Sequence, residues 1–123
     1  NIRGRVRIEG MKSSAGLLPY LAFAKCLVLP SSREPWGLVV NEAMAAGLPV
    51  IVSRQCGCAE NLVTGKNGFL FSADDQDALT DCLIQLEHKT ADQRLAMGAA
   101  SRSIIADFSL ERWASEVERL VFE

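Results

Sequence analysis

Glu34 and Glu42 enclose the stretch Pro35-Trp36-Gly37-Leu38-Val39, and carboxylates set on either side of a glycine at a helix start can serve a charged ligand. The apolar run before them empties through Ser31-Ser32-Arg33 into a helix that begins near Gly37. Such a helix points unpaired N–H groups and the positive end of its dipole into the crevice at the carboxyl end of a strand. Phosphate is the natural occupant. Gly37 lets an anion approach the backbone, and Pro35 fixes the chain just before the helix. Glu42 lies about 7–8 Å along the helix at ~1.5 Å per residue, its Cβ leaning back toward the N-terminus, where it can accept from hydroxyls beside the phosphates. Glu34 precedes the helix, where the dipole favours a carboxylate but a close phosphate would repel it, so it should meet a neutral, hydroxylated group. Polyol at both ends with phosphate between is the layout of a nucleotide sugar.

Blander assignments exist for the same residues: Glu34 as a cap-region charge, Glu42 as a solvated helix residue, Gly37 as a turn. A third option makes the glutamates a glycosidase pair, which needs carboxyls about 5–10 Å apart on opposite sides of a bond. The spacing permits that, and the anion-ready helix argues against it.

The elements that must hold these residues alternate. Residues 5–10 (RVRIEG) alternate like a strand, residues 17–25 read as a short helix, and residues 26–30 (CLVLP) suit a strand buried on both faces. A helix over residues 37–46 closes at Gly47, with Pro49 two residues on. Residues 49–53 (PVIVS) form another buried strand, and after a polar turn over 64–68, with Asn67-Gly68 as residues tolerant of positive φ, residues 69–71 form a third short run. Helices follow over 78–86, 93–107 and 110–122, the last with Ser109 as N-cap and Arg112 at N3. Trp113, Val117, Leu120 and Val121 recur at three- and four-residue intervals and are expected in the core, with these helices packed on the sheet. Strands alternating with helices imply an α/β, Rossmann-like parallel sheet with right-handed crossovers.

Composition narrows the function classes. The 123 residues suit one domain, and 49% apolar with 23% charged residues is ordinary globular content. Thirteen Lys and Arg against fifteen Asp and Glu leave a net charge of −2 and no basic block, so nucleic acid is a poor partner. The longest apolar run, over residues 17–24, is too short for a membrane span and contains Pro19, and the N-terminus lacks a signal-peptide layout. Cys26, Cys56, Cys58 and Cys82 are expected to be reduced. Cys56-Gly57-Cys58 with the lone His88 falls short of four zinc ligands, so no metal is expected.

Beyond these patterns, the chain resembles the retaining GT-B glycosyltransferases with an E-x7-E signature, a family that includes sucrose synthase-like and bacterial mannosyl- and glucosyltransferases. The resemblance rests on Leu18-Pro19-Tyr20, Leu29-Pro30-Ser31, Glu34-Pro35-Trp36-Gly37-Leu38, Glu42-Ala43-Met44-Ala45-Ala46-Gly47-Leu48-Pro49-Val50-Ile51 and Asn67-Gly68-Phe69-Leu70-Phe71. It is specific over residues 17–71. It implies transfer of a sugar, most readily a hexose, from a nucleoside diphosphate sugar to an acceptor hydroxyl with retention and without a cofactor or metal. Glu34 is the candidate catalytic residue, reading hydroxyls of the transferred sugar. Glu42 holds the donor ribose, and the backbone of Trp36, Gly37, Leu38 and Val39 meets sugar and diphosphate. Gly57-Cys58-Ala59-Glu60 resembles the family's loop after the next strand, with Glu60 either lining the donor pocket or serving the loop's own structure.

The resemblance also implies that residues 1–123 form a partial C-terminal GT-B domain that begins at its third strand. The first two strands, with their Arg and Lys, and the whole N-terminal domain are then expected to be absent. Arg3, Arg5, Arg7 and Lys12 do not match the pattern of those cations. Residues 5–10 should then form a rearranged sheet edge or a dimer contact. The expected partners are the nucleotide sugar and an N-terminal domain or a second copy of the chain, and the chain alone should not turn over. A noncatalytic module derived from the same fold is the alternative. The family implies a cytoplasmic location, peripheral to the inner membrane face where acceptors are lipids, although no amphipathic basic helix here supports attachment.

Overall fold

The computed structural model describes residues 4–122 as an α/β unit built on a three-stranded parallel sheet. Strands β1 (Leu27–Leu29), β2 (Val50–Ser53) and β3 (Gly68–Phe71) lie in the order β1-β2-β3, with Val28 beside Ile51 and Ile51 beside Phe69. Helix α1 (Ser14–Phe23) precedes β1, α2 (Leu38–Ala45) joins β1 to β2, and the short α3 (Ala59–Leu62) joins β2 to β3. Helices α4 (Gln76–Glu87), α5 (Ala91–Ala106) and α6 (Leu110–Phe122) complete the order.

Every residue of β2 is buried, because parallel strands are covered on both faces. Its side chains alternate between two cores. Val50 and Val52 enter a cluster with Val40, Met44, Cys58 and Leu62, while Ile51 enters a second with Phe71, Cys82, Leu86 and Met97. Burying each large apolar side chain of these clusters contributes about 1.5–3 kcal/mol.

Helix α2 ends as its composition predicts. Gly47 adopts φ +79°, its N–H donates to the Met44 carbonyl at 3.0 Å, and the Leu48 N–H donates to the Ala43 carbonyl at 3.0 Å. Helix α5 crosses this end closely: a Cβ on Gly98 would run into the Gly47 carbonyl, and the buried Ser101 hydroxyl donates to the Leu48 carbonyl at 2.7 Å. Helix α4 starts two residues earlier than its periodicity indicates because the Asp75 side chain accepts from the Ala78 N–H at 2.8 Å. Thr90 and Gln93 start α5 with a reciprocal capping box.

Two expectations fail. Residues 5–10 belong to none of the sheet's strands; apart from a single bridge residue at Val6 they lack strand structure, and Ile8 is 97% exposed. Alternation marks a face suited to pairing, but among the described residues no ladder along β1 takes these residues up, so no rearranged edge forms there. Arg3 lies outside the described residues.

The second failure is α6. Ser109 caps it as expected, accepting from the Arg112 N–H at 3.2 Å, yet no residue of the helix is buried. Trp113, Val117, Leu120 and Val121 are 67, 38, 73 and 66% exposed, so they are not core. The reason is local. The Asp107 and Phe108 amides bond back to the Ile104 and Ile105 carbonyls, ending α5, and the Ser109 cap starts a new helix whose residues all stay exposed.

Candidate functional site

The chain leaves β1 at Leu29 and reaches Glu34, which forms an isolated parallel bridge with Cys56 beyond the end of β2. Two main-chain bonds extend that pairing: the Gly57 N–H donates to the Glu34 carbonyl at 2.9 Å and the Cys58 N–H to the Trp36 carbonyl at 3.0 Å. Earlier in the same loop the Ser31 carbonyl accepts from the buried Ser53 hydroxyl. The loop after β1 is thereby tied along its length to the end of β2.

Within the loop the half-buried Glu34 carboxylate accepts from the Trp36 N–H at 3.3 Å, and the Trp36 indole N–H donates to Asn41 Oδ1 at 2.9 Å. Gly37 then turns the chain into α2 at φ +102°, ψ +61°, a conformation that costs other residues about 1–2 kcal/mol. The Val40 N–H closes the first turn on the Gly37 carbonyl at 2.9 Å. Among the described residues no acceptor pairs with the amides of Gly37, Leu38 and Val39. Three successive free donors at a helix start, beyond the carboxyl end of β1, form an anion-accepting corner.

Glu42 occupies a different setting. It is half-buried one turn further along α2 and lines a groove of about 660 Å³ between α1 and α2. The other walls are Ser14, Leu18, Leu21, Ala22, Ala45 and Ala46, so the groove is largely apolar. Glu34, Trp36 and Gly37 thus sit together in one clamped loop, Leu38 is exposed at the corner, Val39 is half-buried behind it, and Glu42 opens on the neighbouring groove.

Three residues that take part in this arrangement were not singled out from sequence for these positions. Asn41 holds the Trp36 ring, Gly57 meets the loop backbone, and the Cys58 thiol lies under Gly37, where an added Cβ would come within 3.4 Å of its sulfur. Burial pushes the Cys58 thiol up, with neighbouring Cys56 and the Glu34 carboxylate adding to the effect. The signal for Gly57 was its place just after a buried strand; nothing in the sequence showed which backbone it would face.

Other sequence candidates make contacts of their own. The Glu60 carboxylate pairs with Arg54 at 3.2 Å, an exposed contact worth about 0–1 kcal/mol. Asn67 is buried, accepting from the Thr64 N–H at 2.7 Å and donating to the Leu62 carbonyl at 3.0 Å. Gly68 is needed because the Val50 carbonyl abuts it rather than for positive φ, which it lacks. All four cysteines are free. Among the described residues no three His, Cys, Asp or Glu side chains gather as metal ligands, and no helix is long and apolar enough to cross a membrane.

Comparison with known proteins bears on the same corner. The family model for glycosyl transferases group 1 matches residues 1–104, which include the whole candidate site and stop before α6. The chain is 36% identical over 97 residues to a D-inositol 3-phosphate glycosyltransferase of Corynebacterium urealyticum, a match covering 79% of this chain and 23% of the relative. It is 32% identical over 124 residues to the N-acetyl-alpha-D-glucosaminyl L-malate synthase of Bacillus anthracis, covering 100% of this chain and 32% of that enzyme. The chain therefore spans about a quarter to a third of the length of these curated relatives.

Among solved structures, sucrose-phosphate synthase from Thermosynechococcus elongatus superposes with a TM-score of 0.82 at 30% identity, over 95% of this chain and 29% of that one. Anabaena Alr3699/HepE in complex with UDP and glucose gives 0.81 at 21% identity over 98% and 32% of the two chains, a likeness of fold. The parallel sheet and its C-terminal helices are thus part of a GT-B fold. With the family model covering most of the sequence and the E-x7-E pair set around a helix start, the chain belongs to the glycosyl transferases group 1 family.

Proposed function

We propose that the chain forms the donor-binding wall of a retaining glycosyltransferase that moves a sugar from a nucleoside diphosphate sugar to an acceptor hydroxyl. The observation that carries this reading is the row of unpaired amides at Gly37, Leu38 and Val39 beside Glu34, with Glu42 about one turn further along α2. The diphosphate accepts from the amides, and the dipole of α2 stabilises the charge that grows on it as the bond to the anomeric carbon breaks. Glu34 accepts from hydroxyls of the departing sugar, and its main-chain anchoring keeps it beside the anomeric centre. Glu42 accepts from the ribose hydroxyls. No step in this scheme calls for a metal. The acceptor wall and the cations of the family's pattern come from outside these residues, so the reading assigns turnover to a larger assembly.

Titration calorimetry of the full chain with UDP-glucose, GDP-mannose, ADP-glucose and their free diphosphates tests it. One donor family should bind, and Glu42→Gln should weaken that binding by about tenfold, the effect of one lost charge-assisted hydrogen bond. Absence of binding to every one of these ligands would leave a noncatalytic module of the same fold as the better account.

A further inference from the structure

We propose that the Cys56-Gly57-Cys58 turn is the positioning element of the loop over residues 34–37, and that Gly57 is the residue that permits the fit. Its functional consequence rests on the donor-binding reading above; its geometry does not. Gly57 does not need to be glycine for its own backbone, because its φ is not positive. The requirement comes from across the gap: a Cβ there would run into the Pro35 carbonyl and come within 3.3 Å of the Trp36 Cα. Both obstacles are backbone atoms, which no rotamer change can move aside.

The contact is part of a continuous clamp. The Glu34 and Trp36 carbonyls accept from the Gly57 and Cys58 amides, so they face the turn. The face of Gly37 is held from the same side. An added Cβ would meet Leu29 Cδ2 at 3.0 Å, Cys58 Sγ at 3.4 Å and Glu34 Cγ at 3.5 Å. Leu29 of β1 and the turn thus back the loop at Gly37, and its free amides have no acceptor among the described residues. A methyl group at position 57 forces the turn and the loop apart and so disturbs the row of amides that would hold a diphosphate. None of the candidate ligand-contacting residues lies in the turn, so Gly57 acts as a positioning residue, through the loop.

The chain has two tryptophans, so Trp113→Phe leaves Trp36 as the single emitter. In that background, Gly57→Ala and Cys58→Ala are compared with the parent, first without ligand and then in titrations with the nucleoside diphosphate that binds best. Gly57→Ala should shift Trp36 emission, increase its quenching by acrylamide and speed amide exchange at positions 57 and 58, with helix content unchanged. Affinity should fall by about tenfold to a hundredfold, the scale of an ångström-size misplacement. Cys58→Ala keeps the two main-chain bonds and should give a smaller rise in Trp36 quenching with amide protection retained. A folded Gly57→Ala chain with Trp36 emission and amide protection like the parent overturns the proposal. If that variant does not fold, Cys58→Ala decides: unchanged Trp36 quenching and unchanged affinity overturn it as well. A parent chain that binds no nucleoside diphosphate removes the donor reading alone, since the ligand-free signals still test the clamp.

Discussion

Helices α2 and α6 both carry apolar residues at helical spacing, and they meet opposite fates. In α2, Val40, Ala43 and Met44 are fully buried against the sheet and α5 crosses its end; in α6, no residue is buried although Leu110, Trp113, Val117, Leu120 and Val121 follow a cleaner stripe. The difference lies at the ends of the helices. Helix α2 hangs between two adjacent parallel strands, so its crossover presses one face onto the sheet. Helix α6 instead follows a turn and its own Ser109 cap, and none of its residues is buried. A helical stripe states that a face is suited to being covered, and connectivity decides whether anything covers it.

That contrast can be broken by measurement. The largest effect is expected for Met44→Ala, which removes a fully buried side chain from the first core cluster and should cost about 2–5 kcal/mol in denaturant unfolding. A loss below ~1 kcal/mol would mean that α2 is not seated as described. Next comes Gly37→Ala, where positive φ and the nearby Leu29 side chain should together cost about 1–3 kcal/mol. Equal stability of that variant would show that α2 can start without the left-handed residue. The smallest effect is expected for Trp113→Gln with Leu120→Gln, each on the exposed stripe, with stability changed by no more than about 0.5 kcal/mol per substitution. A loss of several kcal/mol there would place α6 in a packed core and erase the difference between the helices.

Much of the site could be read from residue types because its parts are local. Proline, glycine and a following apolar helix define a helix start within a few residues, and the Gly47 end of α2 follows from one residue's tolerance of positive φ. The three strands were legible as apolar runs of strand length, although the structure trims the first to Leu27–Leu29, leaves it half-buried rather than covered on both faces, and adds Gly68 to the last. The roles of Asn41, Gly57 and Cys58 were not legible, since each depends on where a second loop lies. The same limit explains residues 5–10, whose alternation is genuine but which find no neighbouring ladder in the described sheet.

By itself, the amino-acid order determined the α/β class, the family, and the two carboxylates flanking a helix start, because these follow from short-range periodicity and from residues whose backbone preferences act within one turn. Tertiary structure alone decided that the loop from Glu34 to Trp36 is clamped against Cys56, Gly57 and Cys58 while Glu42 lines a groove beside α1. It also decided that α6 leaves its apolar face uncovered among the described residues. Pairing between segments some twenty residues apart depends on how crossovers bring strand ends together, and no local preference encodes that distance.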